Sequence, residues 1–114
     1  MHELGIVFHI IKVVNRVAEE NSLTKISQVS LELGEVSGVI HKELADCWKW
    51  AVKKTDIMND AELIIETIQA LTLCESCRKT YETVPHGRIC PYCSSGQTYL
   101  IQGNEINLKE IKAF

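Results

Sequence analysis

Apolar side chains recur at helical spacing in the first part of the chain. In residues 3–21 the polar residues fall on the opposite face of the predicted helix, which is the pattern of a helix that packs one side against a core. Asn21 is a suitable stop signal. The segment is rich in β-branched residues, so its helicity depends on packing more than on intrinsic propensity. The apolar stripe consists of Val7, Ile10, Ile11, Val14, Val17 and Ala18.

The next segments predict a strand, a second helix and another strand. Val29, Leu31 and Leu33 alternate with polar residues, which is the period of a half-buried strand. The segment AELIIETI predicts a further strand around residues 61–68. Between them, HKELADCWKWAVKK predicts a helix with one apolar face formed by Leu44, Cys47, Trp48, Ala51 and Val52.

The last third of the chain predicts two strands and a cysteine module. TYLIQ and EINLKEI are predicted to be joined at Gly103-Asn104 by a two-residue hairpin turn, and the last strand to return to the main sheet. The order of elements indicates an α/β (α+β) fold, with two helices packed on a small three-stranded sheet and an inserted cysteine module. We expect residues 1–70, completed by a strand in 104–114, to form one domain, and residues 71–103 the other.

Composition and charge narrow the function classes. The chain has 114 residues, 46% of them hydrophobic and 24% charged, which is typical of a globular protein of one domain with at most a small appendage. A net charge of −3 disfavours nucleic-acid binding. No apolar run approaches the roughly 18 to 20 residues that span a bilayer. Glu3 stands where a secretory signal would carry positive charge. We therefore expect a cytoplasmic protein without membrane insertion.

Four of the five cysteines are spaced as two metal-binding knuckles. Cys74 and Cys77 form one CxxC pair, and Cys90 and Cys93 form the second pair after twelve residues. This spacing fits a tetrahedral zinc site, and four thiolates leave no open position, so the zinc would be structural. Two dithiol redox motifs or an iron–sulfur cluster are the alternatives. Cys47 is predicted to be a small buried core residue.

The first three residues can chelate a second kind of metal ion. The Met1 amine, the amide and imidazole nitrogens of His2, and the amide nitrogen of Glu3 can close fused rings around one ion. Such nitrogen ligands favour square-planar Ni²⁺ or Cu²⁺. Taken alone the pattern is weak, because terminal residues tolerate almost any side chain.

Three sequence motifs that occur in one order along the chain strengthen the prediction of metal chelation at the N-terminus. The chain begins MHEL, continues with LELGEVSGV and then carries the two CxxC pairs, the second as CPYC. In this combination the sequence resembles the HypA/HybF family of hydrogenase maturation factors, which handle nickel. The likeness spans essentially the whole chain.

The resemblance implies specific ligands and partners. His2 corresponds to the nickel-binding histidine, with the Met1 amine and the backbone nitrogens of His2 and Glu3 as co-ligands, and the Glu3 side chain influences nickel handling. The zinc ligands correspond to the four cysteines of the two pairs. Family members deliver Ni²⁺ to the precursor of the [NiFe]-hydrogenase large subunit, together with a HypB-type GTPase, and some serve urease. The chain is therefore expected not to be an enzyme, and it is compatible with a homodimer.

Two positions depart from the family pattern. Gly5 stands where many relatives carry serine, and Ile40 stands where some relatives carry an acidic nickel ligand. His41 is the first candidate for a substitute ligand. His9 is expected to be solvated, and His86 to be a loop residue or, alternatively, to tune the zinc site. The competing function is a zinc-ribbon protein-interaction adaptor without a nickel role.

Overall fold

A computed structural model describes residues 3–114 of the chain. Within that range the strands form two three-stranded sheets, with the strand orders β2-β1-β6 and β4-β3-β5. None of the helices described there is both long and apolar enough to cross a membrane. In chain order the elements are α1 (Glu3–Glu20), β1 (Ile26–Gly34), α2 (His41–Val52), β2 (Glu62–Ile68), β3 (Leu71–Cys74), β4 (Thr80–Glu82), α3 (Thr83–His86), β5 (Thr98–Gln102) and β6 (Ile106–Ala113).

The chain divides into two compact units. The first contains the described chain up to Glu32, with Val39–Glu66 and Asn107–Phe114, and the second contains Leu33–Gly38 and Thr67–Ile106. The helices α1 and α2 belong to the first unit, and the second unit holds the four clustered cysteines. The predicted α+β class with a four-cysteine module is confirmed.

The first unit has an apolar interior supplied mainly by α1, β1 and α2. The predicted stripe of α1 is buried except at Val17, which is half-buried. On α2 the indole N–H of Trp48 donates to the carbonyl of Ala61 at 2.9 Å, so this large ring is buried without an unpaired donor. The two predicted helices are confirmed. The buried residues are Val7, Ile10, Ile11, Val14, Ala18, Ile26, Val29, Leu31, Leu44, Trp48, Ala51, Val52 and Met58.

The predicted end of α1 is also confirmed, and Asn21 supplies the reason. Its backbone N–H and its side-chain amide both donate to the Val17 carbonyl, at 3.1 and 2.8 Å. Ser22 then adopts a left-handed φ of 54°, and Leu23 donates to the Ala18 carbonyl at 2.8 Å. These bonds satisfy carbonyls that the last helical turn leaves without an intrahelical partner.

The second unit is organised by β3, which pairs antiparallel with β4 on one side and β5 on the other. Thr72 lies opposite Tyr81 in β4 and opposite Leu100 in β5. The register shifts between Leu71 and Thr72, where β5 carries one extra residue, Ile101. Such a β-bulge bends and twists an edge strand.

The hairpin predicted at Gly103-Asn104 is wrong. β5 pairs with β3, whereas β6 lies beside β1 in the other sheet, so the glycine marks a passage between sheets. A Cβ on Gly103, whose φ is 111°, would lie 2.3 Å from the Cα of Ala70. A Cβ on Gly34 would lie 2.1 Å from the Gly103 carbonyl oxygen. Glycine is therefore needed for close backbone approach. The predicted return of the last strand to the main sheet is confirmed.

Cys47 is less buried than its sequence position suggests. Its side chain is half-buried on α2, and it lines a shallow surface pocket with Leu4, Asp46 and Trp50. The expectation of a small buried core residue is therefore wrong. Helical periodicity places Cys47 beside the apolar face, but only the packing of α1 determines how far that face is covered.

Candidate metal centre

The structure brings the sulfur atoms of Cys74, Cys77, Cys90 and Cys93 within 4.8 Å of one another. The Sγ atoms of Cys74 and Cys93 are 3.5 Å apart, and those of Cys77 and Cys90 are 3.7 Å apart. Cys74 and Cys90 are buried, Cys77 is half-buried and Cys93 is exposed. One residue of each pair therefore anchors the cluster inside the second unit.

The two knuckles have the same backbone design. The carbonyl of Cys74 accepts a bond from the Arg78 N–H at 2.9 Å, and the carbonyl of Cys90 accepts one from the Ser94 N–H at 2.8 Å. Arg78 and Ser94 both adopt a left-handed φ of 63°. In each knuckle the first cysteine's N–H donates to the carbonyl of the residue five positions later. This repeated turn presents both sulfurs of a pair to one point.

The sulfur atoms differ in how readily they lose a proton. The Cys77 backbone N–H stabilises the Cys74 thiolate against the effect of burial, and the pKa of Cys74 falls to about 6. The Ser95 N–H favours the Cys93 thiolate, but the neighbouring Cys74 sulfur and burial outweigh it and raise the pKa of Cys93 to about 12. A cation that binds all four as thiolates must displace protons, so its affinity falls as the pH falls.

Few apolar side chains surround the cluster. Cys74, Cys90 and Tyr81 form the buried core there, with Cys77 packed against them. The Tyr81 hydroxyl donates to the Gly87 carbonyl at 2.9 Å. The ring of His86 contacts the Tyr81 ring edge-on, with centroids 6.0 Å apart. His86 is the last residue of the short helix α3, so the expectation of a loop residue is wrong, and its ring packs on the tyrosine.

The donor set suits a metal ion such as zinc. Four soft sulfur donors at this separation match the closed tetrahedral shell of a structural zinc site, which contributes folding energy. When bound, such an ion holds the two knuckles together. Among residues 3–114 this is the only group of three or more His, Cys, Asp or Glu side chains arranged to hold a metal ion.

Glu3, at the start of α1, is the described part of the candidate nickel site. Its side chain is only 6% exposed, and its Oε2 atom accepts a bond from the Ile40 N–H at 3.3 Å. Burial alone would raise the pKa of Glu3, but the N–H groups of Glu3 and Ile40 and a side-chain hydrogen bond with Glu43 lower it below the usual value. The carboxylate therefore ties the beginning of α1 to the beginning of α2.

The other candidate nickel ligands are Met1, His2 and His41. Met1 and His2 lie outside the described residues. His41 begins α2 and is exposed, directly after Ile40, whose side chain is 54% exposed. His9 is exposed on α1, as predicted.

Sequence reasoning missed the bond from the Ile40 backbone to the Glu3 carboxylate. It joins residues 37 positions apart, and no local pattern encodes it. The only available signal was a single acidic residue at the start of an otherwise apolar segment, where a carboxylate suits the positive end of a helix.

The family model for "Hydrogenase/urease nickel incorporation, metallochaperone, hypA" matches residues 1–113. The hydrogenase maturation factor HypA of Picosynechococcus is 30% identical, over 98% of both chains. HypA of Chlorobium phaeobacteroides is 32% identical over 97% of both chains. HybF of Klebsiella pneumoniae is 26% identical over 98% of both chains.

Two solved structures share the fold. The solution structure of the Ni metallochaperone HypA from Helicobacter pylori matches with a TM-score of 0.73 at 23% identity, covering 99% of this chain and 97% of that one. A second solution structure of a HypA protein matches with a TM-score of 0.76 at 23% identity, covering 100% and 97%. The architecture described above is therefore that of these structures.

Proposed function

Because the chain belongs to the HypA family of metallochaperones for nickel incorporation into hydrogenase and urease, we propose that it binds Ni²⁺ at its own N-terminus and delivers it to a [NiFe]-hydrogenase. Family membership makes the chain a maturation factor and not an enzyme, as the sequence predicted. The ligands that we propose are the Met1 amine, the His2 imidazole and the backbone nitrogens of His2 and Glu3. The first unit would be the nickel domain and the second the zinc domain.

The observation that carries this proposal is the closed cysteine cluster. All four knuckle sulfurs lie within 4.8 Å of one another, so a zinc ion held there would use every one of them. Nickel would then need ligands from elsewhere in the chain. The N-terminal nitrogens match its preference for square-planar nitrogen sites.

The hydrogen-bonded Glu3 side chain supports nickel coordination by the Glu3 backbone nitrogen instead of by the carboxylate. The carboxylate is buried and already accepts the Ile40 N–H, so coordination through Oε2 would break a bond to α2. The amide N–H of Glu3 is among the first groups of α1, which have no backbone acceptor within the helix, and it stabilises the Glu3 carboxylate instead. Binding of the metal would replace its proton, so nickel affinity falls as the pH falls.

For delivery, we propose ligand exchange onto an acceptor. A site at the chain terminus is accessible to incoming ligands. The proposed acceptor is the large-subunit precursor of the hydrogenase, with a HypB-type GTPase controlling the timing. The same site could also deliver nickel to urease. The proposal is compatible with a homodimer. We place the protein in the cytoplasm.

The experiment is a nickel titration with metal analysis on a chain with a free, untagged N-terminus. Wild type is compared with His2→Ala, and His41→Ala is the matched control for a second exposed histidine. We expect one zinc in all three proteins and loss of nickel binding only in His2→Ala. Stoichiometric nickel in His2→Ala would contradict the proposed N-terminal site, whereas the absence of nickel binding in wild type would favour a zinc-ribbon adaptor. Loss in His41→Ala as well would add that residue to the ligands.

A further inference from the structure

The second unit contains a cavity of about 540 Å³ that the metal centre does not use. It lies beside the β3–β5 pair, because Thr72 and Leu100, which face each other in that pair, both line it. Arg88 and Gly96, from the segment around the second knuckle, line another part of its wall. None of its lining residues is an aspartate or a glutamate. The size is that of a site for a small organic ligand.

Arg88 brings an uncompensated positive charge to this cavity. Among the described residues, its guanidinium makes no ion pair and donates no hydrogen bond. Its backbone is nevertheless held in place, because the Thr98 hydroxyl donates to the Arg88 carbonyl at 2.6 Å. The side chain is therefore attached to a fixed point at the cavity and keeps its donors for a ligand.

Further donors are available around the same space. Within the described chain, the backbone N–H groups of Arg88 and Gly96 have no protein acceptor. The hydroxyls of Thr72 and Thr83, both at the cavity wall, are 2.6 Å apart. One of them donates to the other, so one O–H of the pair is left to donate elsewhere. Thr72 is only 3% exposed, so this pair forms part of the floor of the cavity.

The remaining wall is apolar. Val36 and Leu100 line it, and each of these residues is 37% exposed. Large apolar side chains left open beside a group of unpaired donors favour a ligand with one apolar part and one oxygen-rich part. A simple inorganic anion would leave the apolar wall uncovered.

We propose that this cavity binds a carboxylate carried on an aliphatic body, with Arg88 as the principal contact to the carboxylate. The planar guanidinium presents two parallel N–H groups that match the two carboxylate oxygens. Val36 and Leu100 contact the aliphatic part. Either a small aliphatic acid or the carboxyl end of a peptide has this chemistry. The proposal does not depend on nickel binding, since all these residues belong to the second unit.

The test is a titration of the zinc-loaded full chain followed by amide NMR shifts. The probes are N-acetyl-leucine, its amide N-acetyl-leucinamide, 4-methylpentanoate and inorganic phosphate. We expect N-acetyl-leucine to shift Val36, Arg88, Gly96 and Leu100, and the uncharged amide to shift none of them. Tighter binding of N-acetyl-leucine than of 4-methylpentanoate would identify a peptide end, and the reverse a simple aliphatic acid.

Three variants locate the contact. Arg88→Gln should weaken N-acetyl-leucine binding by about tenfold or more, which is the usual loss for one charged hydrogen bond. Lys79→Gln removes the same charge from the same unit, at a side chain that lies over the Tyr92 ring outside the cavity, and should leave binding unchanged. Arg88→Lys should recover only part of the affinity, because lysine lacks the planar fork.

Two results would overturn the proposal. One is the absence of carboxylate-dependent shifts at these amides in wild type with its full zinc content. The other is equal binding of N-acetyl-leucine by Arg88→Gln and wild type. Phosphate shifts as large as those of N-acetyl-leucine, with none at Val36 or Leu100 for either probe, would also overturn it, because the apolar wall would then contribute nothing. Arg88 is exposed, so its substitution should not unfold the unit.

Discussion

The two units of this chain exclude water from their interiors by different means. The first buries aliphatic side chains and one tryptophan between helices and a sheet, with Val7, Val14 and Leu44 fully buried. The second buries two cysteines and Tyr81 around a cluster of thiols. A segment of this length cannot bury enough apolar surface to offset its conformational entropy. The comparison teaches that one unit is stabilised mainly by the hydrophobic effect, whereas the other has a small apolar core beside four clustered sulfurs that suit a metal ion.

The largest expected effect is removal of a buried cysteine ligand. Cys90→Ser should abolish zinc binding and unfold the second unit, because structural zinc contributes on the order of 10 kcal/mol to such modules. The first unit should keep its protected amides. Hydrogen exchange with zinc analysis measures both. Cys47→Ser is the control, since that cysteine lies outside the cluster. Loss of protection in both units alike would contradict the comparison.

The second largest effect is expected from truncating a buried side chain in the first unit, which leaves a cavity there. Leu44→Ala should lower the free energy of unfolding of that unit by about 2–5 kcal/mol, because Leu44 is fully buried. Zinc content should stay the same. Denaturant unfolding followed by tryptophan fluorescence measures the loss, because Trp48 and Trp50 both lie in this unit. Ile64→Ala, at a side chain that is 42% exposed, should cost clearly less. An equal cost for both would show that burial is not what stabilises this unit.

A smaller effect tests the backbone contact within the second unit. Gly34→Ala should destabilise by about 1–3 kcal/mol, because the new methyl group would overlap the Gly103 carbonyl. Thermal unfolding of the zinc-loaded chain measures it. Gly96→Ala is the control, since its nearest neighbour would be a side-chain atom of Ile89 at 3.7 Å. An unchanged melting temperature for Gly34→Ala would show that the backbones at Gly34 and Gly103 leave room for a methyl group.

The smallest effect is a change in pH dependence. The pKa of Glu3 is lower in the folded chain, so its carboxylate adds stability above the ordinary pKa of 4.5 and loses that contribution as the pH falls through the folded value. Glu3→Gln should therefore flatten the acid side of the stability curve. Urea unfolding between neutral pH and pH values below 4.5 measures this slope. Glu20→Gln, an exposed acid at the other end of α1, should leave the slope as in wild type.

Much of the fold followed from local patterns. The period of Val7, Ile10 and Val14 predicted α1, and Asn21 predicted its end, because helical spacing and a local side-chain bond depend on neighbours in the chain. The spacing of Cys74, Cys77, Cys90 and Cys93 predicted one cluster for a similar reason. A CxxC turn fixes its two sulfurs locally, and a short loop joins the two turns.

Other features were decided only in three dimensions. β5 pairs with β3 instead of with β6, and Gly103 directly after β5 approaches Ala70, which is distant in sequence. The hydrogen bond from the Ile40 N–H to the Glu3 carboxylate and the cavity beside Arg88 are also formed by residues that are distant in sequence. The sequence by itself determined α1, α2, β1, β2, β5 and β6 and the clustering of the four cysteines, because these depend on spacing. It did not predict β3, β4 and α3, which lie within the cysteine module. The tertiary structure decided strand partners and the burial of single polar groups, because these depend on which segments pack together.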